Sequence, residues 1–294
     1  MPPSKTGTIR IGISGWRYTP WRGNFYPKKL PQNQELAYAS KILSSIEING
    51  TFYSLQRPTS FESWAADTPD NFVFSLKGPR FITHMRRLRE AKIPLANFFA
   101  SGVLLLGNKL GPVLWQLPPN FLFDAKRLED FFAVLPRDTT QAASLARKHD
   151  KWLKKRASTV DPAPHALRHA IEVRHKSFAV PEFIKLLKKH DIALVCADSV
   201  EWPRMMDLTS DFVYCRLHGS EELYASGYDD ESLDRWAVRV MDWANGREPR
   251  DAERILDKVG AKRKRDVFVY FDNDKKVRAP VDAQSLIKRT SKSN

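Results

Sequence analysis

In "SIEINGTFYS" the residues Glu47, Asn49 and Thr51 stand two apart, as do Glu172 and Arg174 in "IEVRHKSF" and Arg216 and His218 in "FVYCRLHG". On an extended strand that spacing puts each set on one face. The residues between them, such as Ile46, Ile48, Ile171, Val173, Cys215 and Leu217, are apolar and suit a buried opposite face. Further apolar runs end in Lys77, in Gln116, in Asp198, and in Asp272 with Asn273. Carboxylates gathered with an imidazole can pass protons, and cations among them can hold an anion. The expected catalytic set is Glu47, Lys77, Glu172, Asp198, His218 and Asp272, with Glu172 or Glu47 as general base and His218 as acid. Lys77, Arg174 and Arg216 make an anion clamp, and Asn49, Thr51, Tyr53, His84, Gln116, His175, Tyr224 and Asn273 complete the substrate-binding set.

The same residue types allow two other readings. Glu47, Glu172, Asp198, His218 and Asp272 suit Mg, Mn or Zn as ligands. His218 belongs to no HxxxH or HxH pair, so no cofactor is predicted, although a divalent metal remains open. Alternatively the charges neutralise one another in a structural ion network, since isolated ions in a dry interior are costly. Neither a glycine-rich phosphate loop nor a G-x-S-x-G elbow occurs. Aromatic loop residues Trp16, Tyr18, Trp21, Tyr53, Tyr224 and Tyr228 could wall a pocket or simply pack. His149, His165, His169 and His190 read as surface residues, with His175 ambiguous.

What must position these residues is a series of eight short apolar runs: 8–16, 44–53, 72–78, 111–117, 169–174, 192–198, 212–219 and 266–274. Segments of helical periodicity lie between them, including 33–45, 124–135, 181–190 and 231–246. In "PEFIKLLKKH" the apolar Phe183, Ile184, Leu186 and Leu187 fall on one face, and Pro181 sits where its missing N–H costs nothing. Asp124 is a plausible N-cap for the 124–135 segment. Strand followed by helix throughout predicts a (β/α)8 barrel, a TIM barrel, as one domain over 1–294 with a core of about 8–290. Residues 139–168 form a basic helical insertion between the fourth and fifth strands, 247–265 a polar decoration, and the last residues a frayed end.

Of the 294 residues 42% are hydrophobic and 28% charged, which suits a globular chain and argues against wholesale disorder. No apolar run approaches the roughly 20 residues needed to cross a bilayer, and "MPPSKTGTIR" lacks the apolar stretch of a secretory signal. A cytoplasmic location without membrane partners is therefore expected. Two cysteines, Cys196 and Cys215, sit inside apolar runs and read as buried thiols. The formal net charge of +14 suggests an anionic ligand or nucleic acid. That charge gathers in "RKHDKWLKKR" (147–156) and "KRKR" (262–265), a nucleic-acid footprint if the segments are surface, with Trp152 the one aromatic interleaved.

Taken in order, "GISGWRYTPWRGNFYP", "SIEINGTFYS", "FSLKGPRFITH", "LGPVLWQLPPNF", "IEVRHKSF", "ALVCADS", "FVYCRLHG", "ELYASGY" and "VYFDND" resemble the YecE-like proteins, domain-of-unknown-function family 72. The resemblance runs from about Ile9 to Leu286 and implies a TIM barrel, with the strand-end residues above as its motif positions. It implies no substrate. The expected function is accordingly an enzyme doing acid/base chemistry on a small polar, anionic (phosphorylated or sugar-like) substrate. The alternatives are a metal-dependent isomerase or hydrolase on the same site, and a nucleic-acid-binding protein using 147–156 and 262–265.

Overall fold

A computed structural model describes residues 6–219, 221–257, 262–274 and 277–291. Its strands are β1 (Ile9–Ser14), β2 (Ser45–Ile48), β3 (Val73–Lys77), β4 (Leu110–Gln116), β5 (His169–Glu172), β6 (Ala193–Asp198), β7 (Phe212–Leu217) and β8 (Asp266–Phe271). Each pairs in parallel with the next, and β8 returns to β1, closing the barrel in chain order. All eight fall within, or one residue beyond, the apolar runs of the sequence, but β2, β5, β7 and β8 stop short of Asn49, Arg174, His218 and Asp272.

The helices form where the sequence supplies their ends. Asp124 accepts a hydrogen bond from the Arg127 amide at 3.0 Å and starts the helix Ala125–Phe132. Pro181 opens Pro181–Lys189, whose Phe183, Ile184, Leu186 and Leu187 are all buried. The insertion between β4 and β5 carries the helix Thr139–Ala146, and its basic residues follow that helix in turns and the short Lys154–Arg156 segment. The C-terminal end is not frayed where it is described: the helix Arg278–Ser291 is tied through Arg289 to Asp230 and Asp234 at 2.6 Å each.

Side-chain alternation divides the core into two layers. Ile13, Ile46, Leu76, Trp115, Ile171, Cys196, Cys215 and Val269 face the helices. Inside the barrel, Leu114, Ala170, Ala193, Val195, Phe212, Tyr214, Phe268 and Tyr270 fill the floor. Both cysteines are buried free thiols, opposite each other across β6 and β7. His169 is buried completely, because its ring lies in the helix layer between the Trp115 indole N–H and the Pro136 carbonyl. The surface reading of this residue is thus corrected, and burial pushes its pKa down to about 4. Among the described residues no helix is long and apolar enough to cross a membrane.

Candidate functional site

Polarity rises along the barrel interior from the amino to the carboxyl ends of the strands. Above the apolar floor lies a hydroxyl layer in which Tyr270 Oη meets Ser45 Oγ and Ser75 Oγ, each at 2.7 Å. One step higher, Tyr214 Oη donates to Glu47 Oε2 at 2.6 Å and Ser14 Oγ donates to Glu47 Oε1 at 2.8 Å.

Arg216 is the hub of the next layer. Its Nε and Nη2 donate to the two oxygens of Glu47 at 3.1 and 3.0 Å, Nη1 donates to Glu172 Oε2 at 2.6 Å, and Nη2 also donates to Asp272 Oδ2 at 2.7 Å. Glu47, Glu172 and Arg216 are all 0% exposed. Burial works against charge, and ion pairing outweighs it for Glu172 and Arg216. Burial pulls Glu172 upward, yet Arg216 and then Arg174 keep it well below the usual carboxylate range. Asp272 is likewise held low against burial, chiefly by Arg216. For Arg216 burial works against the charge, and Asp272, Glu47 and Glu172 together raise its pKa well above normal.

Over this network sits the mouth. Arg174 Nε donates to Glu172 Oε1 at 2.7 Å, and its guanidinium lies 3.7 Å from the Trp202 ring centroid. His218 is buried beneath Trp202 and Tyr224, at centroid distances of 5.0 and 5.5 Å. Its Nδ1 is 3.1 Å from Asp272 Oδ2 but lacks hydrogen-bond geometry, so it counts among the unsatisfied buried atoms. Gln116 Oε1 and Asn49 Oδ1 are also buried, without hydrogen-bond partners among the described residues. Lys77 is 9% exposed, and among the described residues its Nζ has neither hydrogen bond nor ion pair, lying instead 4.3 Å from the Phe52 ring centroid. Burial, then the charge of Arg216, pushes the Lys77 amine down to about 8. His84, in the π-helical turn Phe81–Met85, packs against the same Phe52 ring at 5.1 Å. Burial and then Lys77 lower its pKa to about 4.

Barrel closure thus brings together Glu47, Lys77, Glu172, Arg174, Arg216, His218 and Asp272, with Asn49, His84, Gln116 and Tyr224 around them. Other expected members lie elsewhere. Asp198 shares a strand level with Leu217, which faces the helices, whereas Ala197 is the partner of inward Arg216. Its carboxylate accepts from Arg204 at 2.9 Å and from the Trp236 indole at 3.2 Å, in a separate cleft of about 460 Å³. Thr51 is not on a strand: β2 ends at Ile48, and Thr51 turns back to donate to the Ile48 and Lys77 carbonyls. Asn273 is wholly buried and donates to Ser226 O and Asp282 Oδ2 behind the barrel. His175 caps the turn Lys176–Phe178 by accepting from the Ser177 amide. The clamp role expected of Arg216 is closed to it, because its donors are taken by carboxylates and no surface of it is exposed. Trp21, Trp16 and Tyr228 are buried packing residues. Sequence reasoning missed Trp202, whose signal was a tryptophan in the loop after β6, and Phe52, which lies within the 44–53 run but sits on the single helical turn Gly50–Tyr53.

Tyr53 is 68% exposed and looks outward into a groove of about 690 Å³ beside the mouth. Phe52, Arg80, Phe81, Met85, Trp152 and Arg156 share that groove. It therefore joins the loops after β2 and β3 to the basic segment 147–156. In that segment Arg147 pairs with Asp161, Lys148, Lys151, Lys155 and Arg156 are exposed, and the Lys154 side chain lies outside the described residues. The second basic run, 262–265, precedes β8 at the opposite end of the barrel, and its Arg265 is buried against the Ser210 and Arg263 carbonyls.

Residues 10–294 match the family model described as "Protein of unknown function DUF72". UPF0759 protein YunF of Bacillus subtilis (strain 168) is 30% identical over 124 residues, covering 40% of this chain and 42% of that protein. UPF0759 protein YecE of Escherichia coli (strain K12) is 29% identical over 113 residues, covering 38% and 39%. In these alignments the chain spans about two fifths of each curated relative's length. Among solved structures, a DUF72 family protein from Thermotoga maritima MSB8 superposes with a TM-score of 0.72 at 22% identity, covering 97% of this chain and 99% of that one. One from Enterococcus faecalis V583 has a TM-score of 0.65 at 17% identity, covering 97% and 98%. At such identities the likeness shows the shared barrel fold.

Proposed function

The chain belongs to the DUF72 family, and from that premise we propose that it is an enzyme acting by acid/base chemistry on a small polar ligand at the carboxyl end of the barrel. The observation that carries this reading is the pair of buried amide oxygens left without hydrogen-bond partners there among the described residues, Gln116 Oε1 and Asn49 Oδ1, beside Lys77 Nζ. An unpaired buried polar group costs about 1–3 kcal/mol, so two in one place beside a bare amine favour a site that a ligand completes. Beneath them the Arg216 network is charge-paired and rigid, a fixed field and not a ligand contact. Lys77 and Arg174 remain to meet an anionic or carbonyl oxygen, Gln116 and Asn49 to orient it, and the neutral His84 with His218 to carry protons. Tyr224 and Trp202 cover the site. The donor set does not fit a metal: Glu47, Glu172 and Asp272 converge on a guanidinium, and among the described residues no three His, Cys, Asp or Glu are grouped to hold an ion. Thermal-shift titration with sugar phosphates and small carboxylates tests the reading. A saturable rise in Tm that Gln116→Leu abolishes without unfolding the protein supports it, and equal shifts in wild type and variant count against it.

A second reading is favoured by the groove at Tyr53, which places Trp152, Phe81 and Tyr53 next to Arg80 and Arg156. Aromatic faces between cations suit single-stranded nucleic acid. Oligonucleotide binding is then expected to weaken steeply with salt and to fall roughly tenfold or more in Trp152→Ala, since one stacked base contributes about 1–3 kcal/mol. Binding indifferent to Trp152 and Tyr53 removes this reading.

A further inference from the structure

We propose that Lys77 is a nucleophilic amine that forms an imine with a small aldehyde or ketone entering the barrel mouth. The inference rests on the reading above that the mouth takes a small polar ligand, and names the chemical class of that ligand. A lysine serving only as a counter-ion sits against a carboxylate, and Lys77 does not. The carboxylates of Glu47, Glu172 and Asp272 are turned to Arg216, while Lys77 Nζ faces the Phe52 ring at 4.3 Å with no hydrogen-bond partner among the described residues. The residue is 9% exposed at the carboxyl end of β3, the end where barrel enzymes hold their reactive groups. Gln116, with its unpartnered Oε1, stands on β4 two residues beyond Leu114, the register partner of Lys77.

Desolvated lysines are the ones that serve as nucleophiles, because burial disfavours the ammonium and frees the lone pair. The charged and titratable groups around this amine are Glu47 from β2, His84 after β3, Glu172 from β5, Arg216 from β7 and Asp272 just after β8. Burial and Arg216 outweigh the three carboxylates and set the amine at about 8. His84, at about 4, is a neutral base beside it and not a competing cation.

The chemistry balances without any oxidant or reductant. The Nζ lone pair attacks the carbonyl carbon and forms a C–N bond, nitrogen loses a proton and the former carbonyl oxygen gains one, giving a carbinolamine. Protonation of that hydroxyl lets it leave as water while the nitrogen lone pair closes the protonated imine. Gln116 Oε1 is free to accept a hydrogen bond from the carbinolamine hydroxyl.

Reductive trapping tests the proposal on the full chain. Protein is incubated with pyruvate or dihydroxyacetone and sodium cyanoborohydride, and adducts are mapped by peptide mass spectrometry. Lys77 is expected to be labelled about tenfold or more faster than exposed lysines at pH 7.5. Its rate should rise through about pH 8, whereas exposed lysines respond near their ordinary value of about 10.4. Lys77→Met and Lys77→Arg should lose the fast adduct, and Gln116→Leu should slow it. Labelling spread over exposed lysines with Lys77 unmodified overturns the proposal, and that measurement needs only the wild-type chain. Stabilisation by pyruvate that depends on Gln116 but yields no Lys77 adduct makes Lys77 a clamp cation: the inference falls and the ligand site stands. With neither stabilisation nor adduct from either probe, both fall.

Discussion

Arg216 and Lys77 are neighbouring cations at the carboxyl end of the barrel and obey opposite logic. Arg216 has every donor direction answered, so its removal leaves Glu47, Glu172 and Asp272 buried against one another. Arg216→Met is therefore expected to cost about 3–5 kcal/mol in denaturant unfolding, far more than the pair network contributes by existing. Lys77 is held at a cost. Its folded pKa of about 8 lies below the ordinary lysine value, so the folded state bears a penalty at any pH below about 8. The penalty fades as pH rises from about 8 to 10.4, where the unfolded chain alone still binds the proton. Lys77→Met should accordingly stabilise the protein at pH 7 by on the order of 2–3 kcal/mol, seen as a Tm a few °C higher, and the gain should vanish near pH 10.5. A destabilised Tm at pH 7 would show that the amine has a partner in solution. The charged types and their spacing of two were legible in the sequence. That three carboxylates share one guanidinium was not, because pairing partners come from β2, β5, β7 and β8.

Strand alternation explains both what the sequence reading found and where it slipped. Parity placed Glu47, Glu172, Arg216 and His218 inside correctly, and the same parity applied to β6 puts Ala197 inward and Asp198 outward. Asp198 was assigned by its position at the end of an apolar run, and position alone does not choose a face. Asp198→Asn is expected to leave trapping of Lys77 unchanged while weakening the Arg204 contact. The polar ends were read as strand because polar residues continue the alternation, yet after Ile48 the chain turns into the one-turn helix Gly50–Tyr53. Close approach of strands adds a constraint that composition does not reveal. A Cβ at Gly12 would lie 1.8 Å from the Ser45 carbonyl oxygen on β2, so Gly12→Ala must push β1 and β2 apart. A loss above about 2 kcal/mol is expected in urea unfolding, against about 0.5–1 kcal/mol of gain were the site merely flexible.

At the scale of the whole barrel, acid stability follows from depressed pKa values. His169 is fully buried with a folded value of about 4, so below about pH 6.5 the unfolded chain gains a proton that the fold refuses. His169 should contribute up to about 3 kcal/mol to a fall in stability between pH 6.5 and 4, to which the half-buried His84 adds, and His169→Gln should make that limb of the denaturation profile shallower. Below about pH 4 a second, steeper loss is expected as Glu172 and Asp272, both held low in the fold, become protonated first in the unfolded chain. Closure of eight parallel strands was determined by the sequence itself, since apolar periodicity changes from two to 3.6 wherever strand gives way to helix, and local patterning carries that information. So was the identity of most ionisable residues at the carboxyl ends. The tertiary structure decided which of those residues meet: Arg216 with its carboxylates, Lys77 with a ring in place of a counter-ion, and Trp152 with Tyr53 and Phe81 in one groove. The physical reason is that barrel stagger and loop path set distances between residues far apart in the chain, and no local pattern encodes them.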